Sequence, residues 1–183
     1  SKTGVAVVKF ENHRGKIVYE ARYTNCAPQE MYAENFIKED IKGGVFKELV
    51  QDNPKGTITL YLTLQLYNSP KSLQETTGTR TDHGNSIALH KLVTEILQDN
   101  KEIKLCIKAA RINQPQRPDS NDPNNVLEVD KSEIKELMII GVKFSGMTQD
   151  DWDYLFTLTK DNKDRKRLDQ EVESIFEELR NEQ

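Results

Sequence analysis

Cysteine is scarce in this chain: among its 183 residues, only Cys26 and Cys106 are cysteines. Two cysteines form at most one disulfide, so the sequence excludes the dense disulfide framework of a small secreted domain. Glycosylation sites of the form Asn-x-Ser/Thr are absent as well, since Asn68-Ser69-Pro70 does not fit that pattern. Both absences favour an intracellular protein, either cytoplasmic or nuclear.

Long apolar runs and an excess of basic residues are also absent. No stretch approaches the roughly 20 apolar residues of a membrane-spanning helix, and no signal-peptide pattern opens the chain, so no membrane partner is expected. The formal net charge of −4 argues against a protein that coats nucleic acid by charge alone. The length suits a single domain over residues 1–183, and the start at Ser1-Lys2-Thr3 leaves open a larger parent protein.

What the chain does contain is an alternation of strand and helix patterns. Two runs rich in Val, Ile, Tyr and Phe, at 4–10 and 16–24, flank a short loop with Gly15 and predict a β-hairpin. Apolar and polar side chains alternate most clearly at 57–65, and further strands are predicted at 102–111 and 142–145. Helical spacing of apolar residues predicts helices at about 29–41 (with a further turn at 45–50), 89–97, 150–156 (opened by Asp150 or Asp151) and 165–180. A further helix, capped by Asp130 or Ser132, carries Ile134, Leu137 and Met138.

The resulting order of elements, β-β-α-β-α-β-α-β-α-α, defines an α/β fold class. Strand-helix-strand units make right-handed parallel crossovers, whereas the opening hairpin is antiparallel. We therefore predict a mixed five-stranded sheet, with an N-terminal antiparallel hairpin followed by parallel strands, and with helices on both faces. Two polar segments without periodicity, at about 68–85 and 113–130, are predicted to be long loops.

Tyr32-Ala33-Glu34, at the start of a predicted helix, and the strand at 57–65 together resemble the cytidine deaminase fold, and more narrowly its AID/APOBEC branch. In that family a helix with His-x-Glu is followed by a strand that ends in Pro-Cys-x-x-Cys. The resemblance extends over roughly residues 5–179 and includes a helix end that runs into a strand at 96–111. It implies a zinc ion held by one histidine and two cysteines, and a glutamate that shuttles protons while zinc-bound water attacks the base.

Transferred onto this sequence, the family's pattern places its glutamate on Glu34 and its histidine on Tyr32. The first cysteine falls on Tyr67 if the strand sets the register, whereas the two cysteines fall on Ser86 and Leu89 if the following helix sets it. Neither register supplies a thiolate, and zinc sites need deprotonated cysteine, neutral histidine or carboxylate ligands. We therefore expect degraded metal positions at Tyr32, Tyr67, Ser86 and Leu89. We also expect Glu34 to be vestigial, and we expect no other catalytic residue, no bound metal and no cofactor.

Two interpretations of this region stay open. In the first, Tyr32 and Tyr67 fill the vacated zinc position with their rings, and one of their hydroxyl groups hydrogen-bonds Glu34. In the second, both are partly exposed surface tyrosines. A metal site rebuilt from His83 and His90 is a weaker idea, because tetrahedral ligation is demanding.

Binding of single-stranded nucleic acid requires a basic track beside aromatic stacking platforms. The residues that fit this requirement are Arg111, Arg117, Trp152, Tyr154, Lys163, Arg165, Lys166 and Arg167. Aspartates interleave with the last four, which favours a solvated helix face. Tryptophan, moreover, is more often a packing residue than a stacking platform.

The function expected from these patterns is that of a catalytically inactive deaminase-fold domain, a pseudoenzyme that acts as a protein-interaction or scaffold module in a larger protein or complex. Its partner would be a protein of unknown identity that contacts the two polar loops, because loops on a rigid scaffold commonly carry function. One alternative is a domain that binds single-stranded RNA or DNA. Another is an active zinc-dependent cytidine deaminase with unorthodox ligands.

Overall fold

The strands in the described part of the chain form a single mixed sheet. The computed structural model describes residues 5–24, 33–62, 93–110, 132–158 and 165–182. Within these ranges the strands are β1 (Val5–Glu11), β2 (Ile17–Thr24), β3 (Thr57–Leu62), β4 (Lys104–Ala109) and β5 (Lys143–Ser145). They lie in the order β2-β1-β3-β4-β5, with β1 antiparallel to β2 and β3, and with β3, β4 and β5 parallel. The predicted mixed five-stranded sheet is thus confirmed.

A tight turn at 12–16 joins β1 to β2. The side-chain Oδ1 of Asn12 accepts the backbone N–H groups of Arg14 and Lys16, at 3.0 Å each. Gly15 adopts a φ of 78°, a conformation that favours glycine. A short loop that combines an asparagine with a glycine therefore closes this hairpin, as the sequence predicts.

Helices connect and flank the strands. In the described part of the chain they are α1 (Ala33–Lys42), α2 (Gly44–Asp52), α3 (93–99), α4 (Ser132–Ile139), α5 (Gln149–Leu155) and α6 (Arg165–Asn181). The helical conformation is interrupted at Gly43, between α1 and α2, and Gly44 has a φ of 72°. The further turn predicted at 45–50 is therefore a separate helix. None of the helices in the described ranges is long and apolar enough to cross a membrane.

Side chains alternate along the central strands, and one side of the sheet, here called the apolar face, consists of hydrophobic residues. These residues are Ala6, Val8, Phe10, Ile58, Leu60, Leu62, Leu105, Ile107 and Ala109, and all of them are buried. Buried side chains of α1, α2, α3, α4 and α6 join them in one core. Full burial of a large aliphatic side chain contributes roughly 1.5–3 kcal/mol, so this core supplies most of the favourable free energy of folding.

The opposite side of the sheet, here called the mixed face, combines polar and apolar residues. By the strand registers it carries Val7, Lys9, Glu20, Arg22, Thr57, Thr59, Tyr61, Cys106 and Lys108. At the carboxyl ends of β3 and β4, α5 packs on this face in a second buried cluster that includes Val7, Tyr61, Trp152 and Leu155. Helices therefore lie on both faces of the sheet, as predicted.

The start of α5 differs from the sequence prediction. The pattern favours Asp150 or Asp151 as the opening residue, whereas the N-cap is Thr148. Thr148 and Asp151 form a capping box, in which each side chain accepts the backbone N–H of the other residue. Asp151 therefore belongs to the first turn of the helix instead of preceding it.

Gly56 is predicted to tolerate no side chain. A Cβ atom at this position would lie 2.7 Å from the carbonyl oxygen of Glu11 and 2.8 Å from Cζ of Phe10. Gly56→Ala should lower the free energy of unfolding by about 2 kcal/mol, because neither the backbone nor the buried ring can move away cheaply. Urea unfolding followed by circular dichroism measures this change.

Gly43→Ala is the matched control, because a Cβ atom there has only the Glu39 carbonyl oxygen nearby, at 3.7 Å. We expect this variant to stay within about 0.5 kcal/mol of the wild type, since a weaker cap and a less flexible unfolded chain have opposite effects. Equal losses of stability in the two variants would contradict the close packing at Gly56.

Candidate functional site

The residues that the deaminase resemblance singles out lie mostly outside the described part of the chain. Tyr32, Tyr67, Ser86 and Leu89 fall there, as do the polar segments at 68–85 and 113–130. The interpretation in which two tyrosines fill the zinc position therefore stays a prediction. Glu34 lies in the first turn of α1, which begins at Ala33, although its side chain is not among those described. Its backbone is thus at the start of a helix, where the resemblance places it.

Among the candidate nucleic-acid contacts, the structure describes the side chains of Trp152, Tyr154 and Arg167. Arg167 is exposed on α6. The remaining candidates are Arg111, Arg117 and Lys163, which lie outside the described ranges, and Arg165 and Lys166, which are placed only as backbone in the first turn of α6. The structure therefore bears on the two aromatic candidates and on one basic residue.

Trp152 is a packing residue. It is 4% exposed, and its indole Nε1 donates a hydrogen bond to Oδ2 of Asp169 at 2.7 Å. Its ring stacks on that of Phe156, with 5.7 Å between the ring centroids. A ring held in this way offers no open surface to a nucleic-acid base. The geometry therefore agrees with the packing interpretation of Trp152 and does not support a nucleic-acid contact at this residue.

Tyr154 lies half-buried on the mixed face, where its ring and its hydroxyl both have partners. The hydroxyl donates to Oε2 of Glu20 at 2.7 Å, and the ring centroid lies 5.7 Å from that of Tyr61. Nζ of Lys9 lies over both rings, 4.8 Å from the Tyr154 centroid and 5.4 Å from the Tyr61 centroid, which is a cation–π geometry. Burial, together with the hydrogen bond to Glu20, raises the pKa of Tyr154, so its hydroxyl keeps its proton at neutral pH.

Next to these rings is a polar group that the sequence analysis missed, here called the Asp151 cluster: Asp151, Lys108, Tyr61 and Thr148. Nζ of Lys108 donates to Oδ2 of Asp151 at 2.6 Å. Thr148 donates to the same oxygen from its backbone N–H and from its hydroxyl, at 2.8 Å each. The Tyr61 hydroxyl donates to Oδ1 at 3.4 Å. Because Asp151 is 7% exposed, its carboxylate is satisfied almost entirely inside the protein.

Burial and hydrogen bonds set the protonation states in the Asp151 cluster. Burial alone would raise the pKa of the Asp151 carboxyl, but the hydrogen bonds from Lys108 and Thr148 outweigh burial and lower this pKa below its ordinary value. Burial and the negative charge of Asp151 raise the pKa of Tyr61. At neutral pH the cluster therefore holds a carboxylate and a neutral phenol, and neither is tuned to exchange a proton. Its role is to attach α5 to β3 and β4.

A cleft of about 410 Å³ opens on the apolar side of the sheet, between α1, α2 and α3. Core residues that include Phe46, Val50 and Ile96 form its floor, and Lys42 pairs with Glu95 at 3.3 Å beside it. The volume falls in the range of small-molecule sites, but an apolar floor with charges of both signs around it specifies no ligand chemistry. Within the described ranges, no group of three or more His, Cys, Asp and Glu side chains could hold a metal ion.

Comparison with known proteins adds no family to this picture. A scan against protein-family models finds no family that matches the chain, and a search of curated proteins finds no match. Any function must therefore be inferred from the sequence pattern, the sheet topology and the contacts of individual residues.

Removal of the Asp151 carboxylate is predicted to destabilise the fold. Asp151→Ala leaves Lys108 and Thr148 without their shared acceptor and should lower the free energy of unfolding by about 2 kcal/mol. Asp150→Ala, at an exposed position of the same helix turn, should change it by less than about 0.5 kcal/mol. Urea unfolding of both variants measures the difference. The structural role assigned to Asp151 would be wrong if the two variants lost the same stability.

The lowered pKa of Asp151 predicts a pH dependence of a definite sign. Because the folded state binds this proton at lower pH than the unfolded state, the stabilisation is complete above the unfolded-state pKa of about 3.9. It is lost as the pH falls through the folded-state pKa, at which the carboxyl becomes a neutral group.

The comparison that isolates this effect is between the wild type and Asp151→Asn, since all other carboxyl groups are common to both. The difference in unfolding free energy should be constant between about pH 7 and pH 5 and should shrink below about pH 4. Urea unfolding at a series of pH values measures it. A difference that stays the same down to about pH 2 would rule out the charged form of Asp151 as its source.

Proposed function

We propose that the chain is a deaminase-fold domain of the AID/APOBEC type that has lost zinc catalysis and acts as a protein-interaction module. The topology is the observation that carries this proposal. β1 lies between β2 and β3 and is antiparallel to both, and β4 and β5 continue the sheet in parallel. A fifth strand parallel to the fourth, followed by further helices, is what the resemblance to the AID/APOBEC branch implies. Here α5 and α6 follow β5.

The loss of catalysis rests on the residues at the family's ligand positions. Tyr32 stands two residues before Glu34, where the family has histidine. Tyr67, or Ser86 and Leu89, stand where it has cysteine. None of these side chains is a good zinc ligand. Without the metal, water at this position does not become a nucleophile at neutral pH, so Glu34 has no activated water from which to accept a proton.

The contacts of the aromatic residues count against the alternative function, the binding of single-stranded nucleic acid. Trp152 is buried, and the ring of Tyr154 lies beneath Lys9. A stacking base would have to displace these contacts. Glu20 and Asp151 also offset part of the positive charge that lysines bring to the mixed face, and such charge supplies most of the affinity for a phosphate backbone.

Metal content and turnover test the proposed loss of catalysis. The chain purified after expression with excess zinc should contain far less than one zinc ion per molecule, because three good ligands are missing. It should not deaminate cytidine, either free or in single-stranded DNA and RNA. Elemental analysis by mass spectrometry and detection of released ammonia measure the two quantities.

Glu34→Ala is the matched control, since it removes the only catalytic group that the family pattern retains. It should be indistinguishable from the wild type in metal content and in background turnover. One tightly bound zinc ion per chain, together with turnover that Glu34→Ala abolishes, would overturn the proposal and favour an active deaminase with unorthodox ligands.

A further inference from the structure

The two edges of the sheet differ in how their backbone groups are occupied. At β5, α6 covers the outer edge: Arg180 donates to the carbonyl oxygen of Phe144 at 2.9 Å, and Glu173 accepts the backbone N–H of Gly146 at 2.6 Å. Arg180 and Glu173 also bond each other at 2.7 Å. One ion pair thus occupies this edge, and sheets commonly protect their edges by such devices.

At the opposite edge, β2 has no comparable cover in the described part of the chain. The strand is continuous over eight residues, Ile17–Thr24, a length of about 26 Å at the usual rise of a strand. Neighbouring elements contact its side chains above and below the sheet, for example Tyr23 through Asp40 and Glu20 through Tyr154. None of the described residues forms a backbone ladder with its outer side.

The hydrogen bonds of the central strands show which way the backbone of each strand points. The Leu62 carbonyl accepts from Ala110, beyond the end of β4, so the backbone groups of Leu62 face β4. Successive residues of a strand face opposite neighbours, and Tyr61 therefore faces β1. Tyr61 pairs with Val7, so Val7 faces β3 and the next residue, Val8, faces β2.

The same alternation identifies the outward groups of β2. Val8 pairs with Ala21, so the N–H and C=O of Ala21 point inward, to β1. Its neighbours Glu20 and Arg22 must then direct their N–H and C=O groups to the outer edge. Within the described ranges, this edge therefore presents an uncovered row of backbone donors and acceptors that includes these two residues, whose side chains carry opposite charges.

We propose that this edge binds β2 of a second copy of the chain, antiparallel, so that one sheet continues across a two-fold axis at Ala21. In this register the Glu20 side chain of each copy lies opposite the Arg22 side chain of the other, which makes two pairs of opposite charge on the mixed face. The backbone groups of the same residues form the hydrogen-bonded pairs. On the apolar face, Tyr19 lies opposite Tyr23, and the small side chain of Ala21 lies at the axis.

The charge pattern selects this register over its neighbours. An axis at Glu20 or at Arg22 would place identical charges opposite each other, which is unfavourable. A pairing register shifted by one residue would place the apolar face of one copy on the same side of the joined sheet as the mixed face of the other copy. A strand with two charges of one sign would repel its own copy, whereas Glu20 and Arg22 make β2 self-complementary about a two-fold axis.

This inference goes beyond the proposed function and does not depend on it. It rests on the sheet edge alone, so an active, zinc-containing chain could still pair through β2. Metal analysis tests the loss of catalysis, and the oligomeric state tests the edge, so that the failure of one is distinct from the failure of the other.

Analytical ultracentrifugation over a range of concentrations tests the dimer. The wild type should dimerise reversibly. Glu20→Arg and Arg22→Glu each place like charges opposite each other twice per dimer and should raise the dimerisation Kd by about tenfold or more. The double variant restores two pairs of opposite charge and should return the Kd to within about threefold of the wild type.

The design separates the dimer contact from contacts within one chain. Glu20→Arg loses the hydrogen bond of Glu20 with Tyr154, Arg22→Glu loses that of Arg22 with the Leu158 carbonyl, and the double variant loses both. Recovery of the Kd in the double variant therefore cannot come from contacts within one chain and reports the pairing between copies. Glu136→Arg on α4 and Lys143→Glu on β5 make the same charge changes away from β2 and should leave the Kd unchanged.

Hydrogen exchange of individual amides provides a second readout. The amides of Glu20 and Arg22 should exchange more slowly as the protein concentration rises, whereas the inward amide of Ala21 should be protected at every concentration. A chain that stays monomeric at millimolar concentration overturns the proposal, as does a dimer that is insensitive to the charge variants. Protection of Glu20 and Arg22 in the monomer would also overturn it, since another segment of the same chain would then cover the edge.

Discussion

The period of two along the central strands is the constraint on which the rest of the structure depends. In β3, the even-numbered side chains enter the apolar core, and the odd-numbered ones form the mixed face. A slip of one residue in the pairing of β4 would bring Lys108 into that core and remove Ile107 from it. The same alternation directs every second backbone group to one neighbouring strand. It therefore also determines which groups of β2 remain at the outer edge.

Asp151 shows how one buried side chain meets several requirements of this arrangement. It completes the cap of α5 with Thr148 and neutralises Lys108 of β4, and it accepts a hydrogen bond from Tyr61 of β3. The contacts therefore hold α5 across two strands. A buried charge is costly unless its hydrogen bonds are complete. The three hydrogen bonds to Oδ2 explain why a carboxylate, and not a neutral acid, is stable here.

The fold could largely be predicted from the sequence because its signals are local: the alternation at 57–62, the glycine in the 12–16 turn and the helical spacing of apolar residues. The Asp151 cluster could not be predicted in this way. Lys108 and Asp151 are 43 residues apart and meet only when α5 packs on the mixed face. A lysine between Ile107 and Ala109 was the available signal, because a charge within an apolar strand needs a partner. Tyr154 was identified as an aromatic candidate, but its contacts with Glu20 and Lys9 depend on the same packing.

The functional account has two independent parts, the proposed loss of the zinc ligands and the proposed pairing of a sheet edge. The first is the central claim: we propose that no cation is held beside Glu34, because the positions that the deaminase resemblance assigns to its ligands carry tyrosine, serine and leucine. X-ray diffraction from crystals grown with zinc, measured at the zinc absorption edge, tests it most directly. The account predicts no anomalous peak beside Glu34. A strong anomalous peak there, surrounded by tetrahedral ligands, would contradict it.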